Sequence, residues 1–194
     1  MNFLISIILT IVIISIGRNF IKTHSKLCYI LSAIISIVLI IASYSGVLSN
    51  VSPFVKAHIL PIFTKSAFAT SLFVVVMYTG ALKNGSKLMK ILMPIRAELS
   101  IIASILTLAH NIIFGKYHFV TLFTDPKSMS LNMLLAAIIS VVLIAIMLPL
   151  MITSFTSIRK KMKYKSWKKI QRFAYVFYGL IYVHIMLIMV PVAK

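Results

Sequence analysis

The sequence predicts an all-α, polytopic membrane protein, a bundle of six transmembrane helices. Three observations carry that reading. The chain is 61% hydrophobic over 194 residues, and only Glu98 and Asp125 are acidic. Stretches of 17 residues or more without a charge recur along it, separated by short basic segments. A soluble domain carries about a quarter charged residues, whereas here the figure is 11%. That leaves no room for a sizeable soluble domain. The formal net charge of +18 raises nucleic acid as a partner. The cations lie in short loops between apolar spans, however, where they act as topology signals and contacts to anionic membrane lipid, so no nucleic-acid partner is expected. Cys28 is the single cysteine. An internal disulfide, a cysteine-ligated iron–sulfur cluster and a c-type haem attachment are thereby excluded.

The first expected span covers residues 2–17. It lacks the basic n-region and small-residue cleavage site of a secretory signal, and it is short for a crossing. Arg18, Lys22 and Lys26 follow, then a second span over 27–44. Residues 45–65 hold Pro53, Lys56, His58 and Pro61, which break any span and place the stretch along the membrane interface. A third span over 66–82 ends in the turn Lys83-Asn84-Gly85-Ser86-Lys87. The fourth, 94–115, opens on Pro94, where a missing N–H is harmless. An outer loop with Lys116, His118, Asp125 and Lys127 precedes the fifth span, 130–155, which Pro149 is expected to kink. The cluster from Arg159 to Lys169 leads into the sixth, 170–192. All 194 residues form one membrane domain, without an internal repeat.

Orientation follows from Lys and Arg. The loops after spans one, three and five hold fifteen of them, and the other side, including Lys194, holds five. By the positive-inside rule the basic loops face the cytoplasm and both termini face outward, with the plasma membrane as the expected location.

His110 and His184 are the candidate site. An ionisable side chain inside a span is expensive and by default functional. His110 lies fourteen residues beyond Arg96 and His184 twelve beyond Arg172. At about 1.5 Å per residue these are roughly 21 and 18 Å into a layer about 30 Å thick, hence a similar depth. Two facing imidazoles at one level suit the iron of a haem. The bland alternative is that each histidine only hydrogen-bonds a carbonyl on a neighbouring helix. A zinc site is disfavoured, since no Asp, Glu or Cys lies at that level. Ala103, Leu106, Thr107, Ile113 and Phe114 share the His110 stripe; Phe177, Leu180, Ile181, Leu187 and Ile188 share that of His184. Met186 and Met189 point off that face. His24, His58 and His118 fall in loops and are read as solvated or interfacial. Trp167 reads as an interfacial anchor, and Glu98 as the partner of Arg96, Arg172 or a loop lysine.

The run LPLMITSFTSIRKKMKYKSWKKIQRFAYVFYGLIYVH resembles a signature of the ferric-reductase-like transmembrane domain. There a Thr-Ser helix end leads through a basic loop and a Trp into a helix with an axial histidine. PIRAELSIIASILTLAHNIIFG resembles the family's other ligand helix. The resemblance covers about residues 66–190 and is nearest to the haem-binding membrane subunits of methionine-sulfoxide reductase systems. It implies that His110 and His184 are the axial haem-iron ligands of a haem b. A second ligand pair common in the family falls here on Arg96 and Gln171, neither a usual haem ligand, which leaves one haem as the expectation and a second open. No flavin or nicotinamide domain follows the sixth span, so any part in an oxidoreductase would be as a membrane subunit.

The resulting expectation is a b-type haem protein passing electrons to an outward-facing acceptor, such as a redox partner protein. The donor would be a membrane quinol, or a flavoprotein docking on the basic loops. The alternative is a small transporter or scaffold without a cofactor.

Overall fold

The computed structural model describes residues 2–190. The last two residues of the sixth expected span, together with Lys194, lie outside them. Every regular element among the described residues is helical, and the protein is an all-α, polytopic membrane protein. Five helices are long and apolar enough to cross a membrane, and a sixth span is supplied if one bent pair counts as a single crossing. The elements are α1 (Asn2–Thr23), α2 (Ser25–Tyr44), α3 (Val55–Thr64), α4 (Ala67–Ala81), α5 (Lys87–Leu92), α6 (Arg96–Thr124), α7 (Leu131–Ser154), α8 (Thr156–Arg159) and α9 (Tyr164–Met189). They fall into two compact units, Met1–Ile113 and Phe114–Lys194.

In the first unit α1 packs along α4. The contact is made of small hydroxyls: Ser6 and Thr10 are fully buried, and Thr10 Oγ1 lies 2.6 Å from Ser71 Oγ. Small residues let helix backbones approach closely where lipid offers no hydrophobic drive for association. The opposite side of α1 is bare hydrocarbon, with Ile16 82% exposed. Such a surface suits a lipid neighbour and no aqueous one. α2 braces α6 through two carbonyls on one face: Ser36 Oγ donates to Ile105 O, and the Tyr44 hydroxyl donates to Ile112 O at 2.8 Å.

Residues 45–65, which the sequence places along the interface, are largely helical. A π-helical turn over Val55–Ile59 runs into Leu60–Thr64, and Pro61 sits in the first turn of that α-helical segment. The chain then bends by 46° into α4. Ser66 makes the bend with φ of 59°, a left-handed conformation that a non-glycine residue seldom takes.

In the second unit α7 packs along α9. Pro149 stays inside α7 and does not end it. The helix end a turn later is closed by side chains: Thr153 Oγ1 donates to Pro149 O and Ser154 Oγ to Leu150 O, each at 2.7 Å. α6 also exceeds its expected end at residue 115, continuing to Thr124 and stopping at Asp125-Pro126, a turn-forming pair with no N–H at the proline. Lys116 and His118 are therefore helical residues.

Candidate functional site

His110 is carried by α6 in the first unit. Its Nδ1 lies 2.8 Å from the backbone carbonyl of Thr64, the last residue of α3. Carbonyls in the last turn of a helix have no intrahelical partner, and the bend at Ser66 leaves this one available. A carbonyl can only accept, so His110 Nδ1 carries the proton. In the neutral ring the lone pair then sits on Nε2. The bend has a second tie to α6, since Ser66 Oγ lies 3.4 Å from Thr107 Oγ1. Thr107, on the His110 stripe, thus meets the residue that makes the bend. Ala103 and Leu106 on the same stripe are buried, while Phe114 is 40% exposed.

His184 is carried by α9 in the second unit. Its Nδ1 is 3.2 Å from Ala136 O and 3.3 Å from Ser140 Oγ, both on α7. The Ser140 hydroxyl donates its own proton to Ala136 O at 2.9 Å. Both neighbours therefore accept from His184 Nδ1–H, and again the lone pair falls on Nε2. Phe177, two turns before His184, is buried at 3% exposure. The bland alternative weighed from the sequence, a histidine bonded to a neighbouring helix carbonyl, thus describes one nitrogen of each ring. It also describes the outer support that metal-ligating histidines use, in which one ring N–H is fixed so that the other nitrogen is presented as a ligand.

The Thr-Ser helix end and the tryptophan of the sixth span's approach have a mechanical meaning here. Trp167 Nε1 donates to Thr153 O at 3.1 Å, closing the C-terminal end of α7. Arg159 lies over the Trp167 ring at 4.8 Å. Gln171 Nε2 donates to Thr153 Oγ1 at 3.1 Å. Trp167 and Gln171 together therefore pin α9 to the end of α7, which sets the rotation of α9 and with it the direction of His184. Gln171, to which the resemblance assigns one of the two further ligand positions, serves here as a clamp between helices.

The remaining singled-out residues make other contacts. Arg96 places its guanidinium against Gly80, and Glu98 keeps Oε2 buried with no hydrogen-bond partner among the described residues. His58 stacks on Phe54, and His24 lies tilted against Phe20. Among the described residues no three of His, Cys, Asp and Glu gather as a metal site. A two-histidine axial set falls below that number.

The fold and the two supported imidazoles define a class, an all-helical membrane protein with ionisable side chains held inside its spans. The family model described as ferric reductase like transmembrane component matches residues 65–182, more than half of the chain, and the chain belongs to that family. The match opens at the α3–α4 bend, includes His110 and ends two residues before His184. An uncharacterized protein of Treponema pallidum (strain Nichols) is 39% identical over 193 residues, an alignment covering the whole of this chain and 53% of that protein. The chain thus spans about half the length of that relative. No solved structure matches it.

Proposed function

We propose that this chain is a b-type haem membrane protein carrying electrons across part of the bilayer, with His110 and His184 as the axial ligands of one haem. The observation that supports this best is shared by both residues: each imidazole has its Nδ1–H held by a carbonyl of another helix, which puts the neutral ring's lone pair on Nε2. Two neutral imidazoles can supply the two axial donors of a six-coordinate haem iron, so the residues fit the group. When bound, that group supplies a one-electron couple without an open coordination position, which suits electron transfer better than oxygen chemistry. The protein's part is to hold both rings at fixed rotation and to surround them with apolar side chains such as Leu106 and Phe177.

With the basic loops toward the cytoplasm, both histidines lie in the outer half of the membrane. A gap of roughly 20 Å then separates them from the cytoplasmic face. A membrane quinol fits that distance as donor, or a flavoprotein seated on the basic loops with a further carrier between. The acceptor is a redox protein, a flavin or ferric iron on the outer side. A pyridine haemochrome assay on protein purified from haem-replete cells tests the reading: one haem b per chain is expected, and a colourless, iron-free preparation would contradict it. That second result would favour a transporter or scaffold, a reading to which the broken α3–α4 pair lends some support, because transporters build sites at discontinuous helices. Here the carbonyl released by the break is taken by His110, which favours the haem reading.

A further inference from the structure

A cleft of about 410 Å³ opens beside the basic end of α1, within the first unit. Arg18 and Lys22 enter it from α1, Lys87 and Lys90 from α5, with Asn19 beside them and Ile95 as an apolar wall. No carboxylate lines it. Arg18 and Lys22 are four residues apart on one helix and Lys87 and Lys90 three apart on the other, so each pair shares a helical face. Four cations converging on one cleft repel one another, and a bound anion would remove that repulsion. Among the described residues none of the four side chains makes a hydrogen bond or ion pair.

The surface that continues from the cleft argues for the kind of anion. Counting back along α1 by alternating steps of four and three, Lys22 and Arg18 are followed by Ser15, Ile11, Ile8 and Leu4, one continuous stripe. Ile11, Ile8 and Leu4 are 54%, 55% and 64% exposed. Cations at one end of an exposed hydrocarbon stripe match an amphiphile with an anionic head and an acyl tail.

We propose that this cleft binds the phosphate headgroup of an anionic phospholipid, whose chain lies along the Leu4–Ile8–Ile11 stripe. Basic pockets among membrane helices are a known means of holding phosphate headgroups. A water-soluble phosphate ester offers the same charge to the same cations, and the stripe is what separates the two sources. The proposal does not depend on haem: a haem-free preparation would show the same binding.

The test is native mass spectrometry of the full chain in neutral detergent, titrated with phosphatidylglycerol and, separately, with glycerol phosphate. Arg18→Gln/Lys22→Gln and Lys87→Gln/Lys90→Gln are compared with Lys160→Gln/Lys161→Gln, which removes the same charge from another loop. Each cleft variant is expected to weaken phosphatidylglycerol binding by tenfold or more, at about 1 kcal/mol per cation near a membrane surface. The control should bind as the wild type does, and Lys22→Arg/Lys87→Arg, which keeps the charge and the fold, should retain the lipid. Glycerol phosphate bound as tightly as the lipid would overturn the lipid assignment. Equal affinity in cleft variants and wild type, or equal loss in the control, would overturn the site itself.

Discussion

The two histidines are held by opposite means. His110 donates to a carbonyl that the chain exposes by bending: α3 ends, Ser66 turns left-handed, and Thr64 O is left outside any helical ladder. The bond is 2.8 Å. His184 donates to Ala136 O inside α7, in its second turn, where that carbonyl already serves the i+4 backbone N–H and also the Ser140 hydroxyl. Its contact is 3.2 Å. One support is dedicated and comes with backbone strain; the other is shared and comes with none. The lesson is that a membrane protein can orient an imidazole either by breaking a helix or by borrowing from an intact one, and that the two should fail differently.

The largest effect is expected at the rings themselves. His110→Ala and His184→Ala should each abolish stoichiometric haem binding, measured as haem per chain, because the remaining imidazole alone leaves an axial position unfilled. The next test separates the two supports. Ser66→Val puts a β-branched residue at a φ of 59° and should destabilise the fold by about 1–3 kcal/mol in thermal unfolding. Ser66→Gly tolerates the same backbone and loses only the contact to Thr107, so its loss should be much smaller. If Val and Gly behave alike, the bend is unstrained and the contrast between the supports fails. A smaller effect is expected for Trp167→Phe, which keeps a ring under Arg159 and removes the bond to Thr153 O, costing about 1 kcal/mol. The smallest belongs to Ser140→Ala: Ala136 O remains as acceptor, and unfolding should shift by less than about 1 kcal/mol with haem content unchanged. A large loss of haem in Ser140→Ala would show the shared support to be the more critical of the two.

The helical class could be read from hydropathy because a chain in lipid must satisfy its backbone within each span, which makes long uncharged runs nearly unambiguous. What misled was local chemistry. Pro53, Lys56, His58 and Pro61 read as breakers, yet Pro61 stands at the start of Leu60–Thr64, and Lys56 and His58 lie inside a π-helical turn. Lys116 and His118 read as a loop although the stop signal, Asp125-Pro126, stands nine residues further on. The two histidines could be singled out because polar rings in apolar runs are rare. Their partners could not, since Thr64 and Ala136 contribute backbone carbonyls 46 and 48 residues away, and a carbonyl leaves no mark on a sequence. The clamping role of Gln171 was hidden for a related reason: only the packing of α9 on α7 brings its amide to Thr153.

The most direct measurement of the central claim is the reduced-minus-oxidised absorbance spectrum of the purified full chain beside His110→Ala and His184→Ala. In the wild type b-type bands are expected, and they should be lost in both variants. Unchanged bands in either variant would show that its histidine does not ligate the iron.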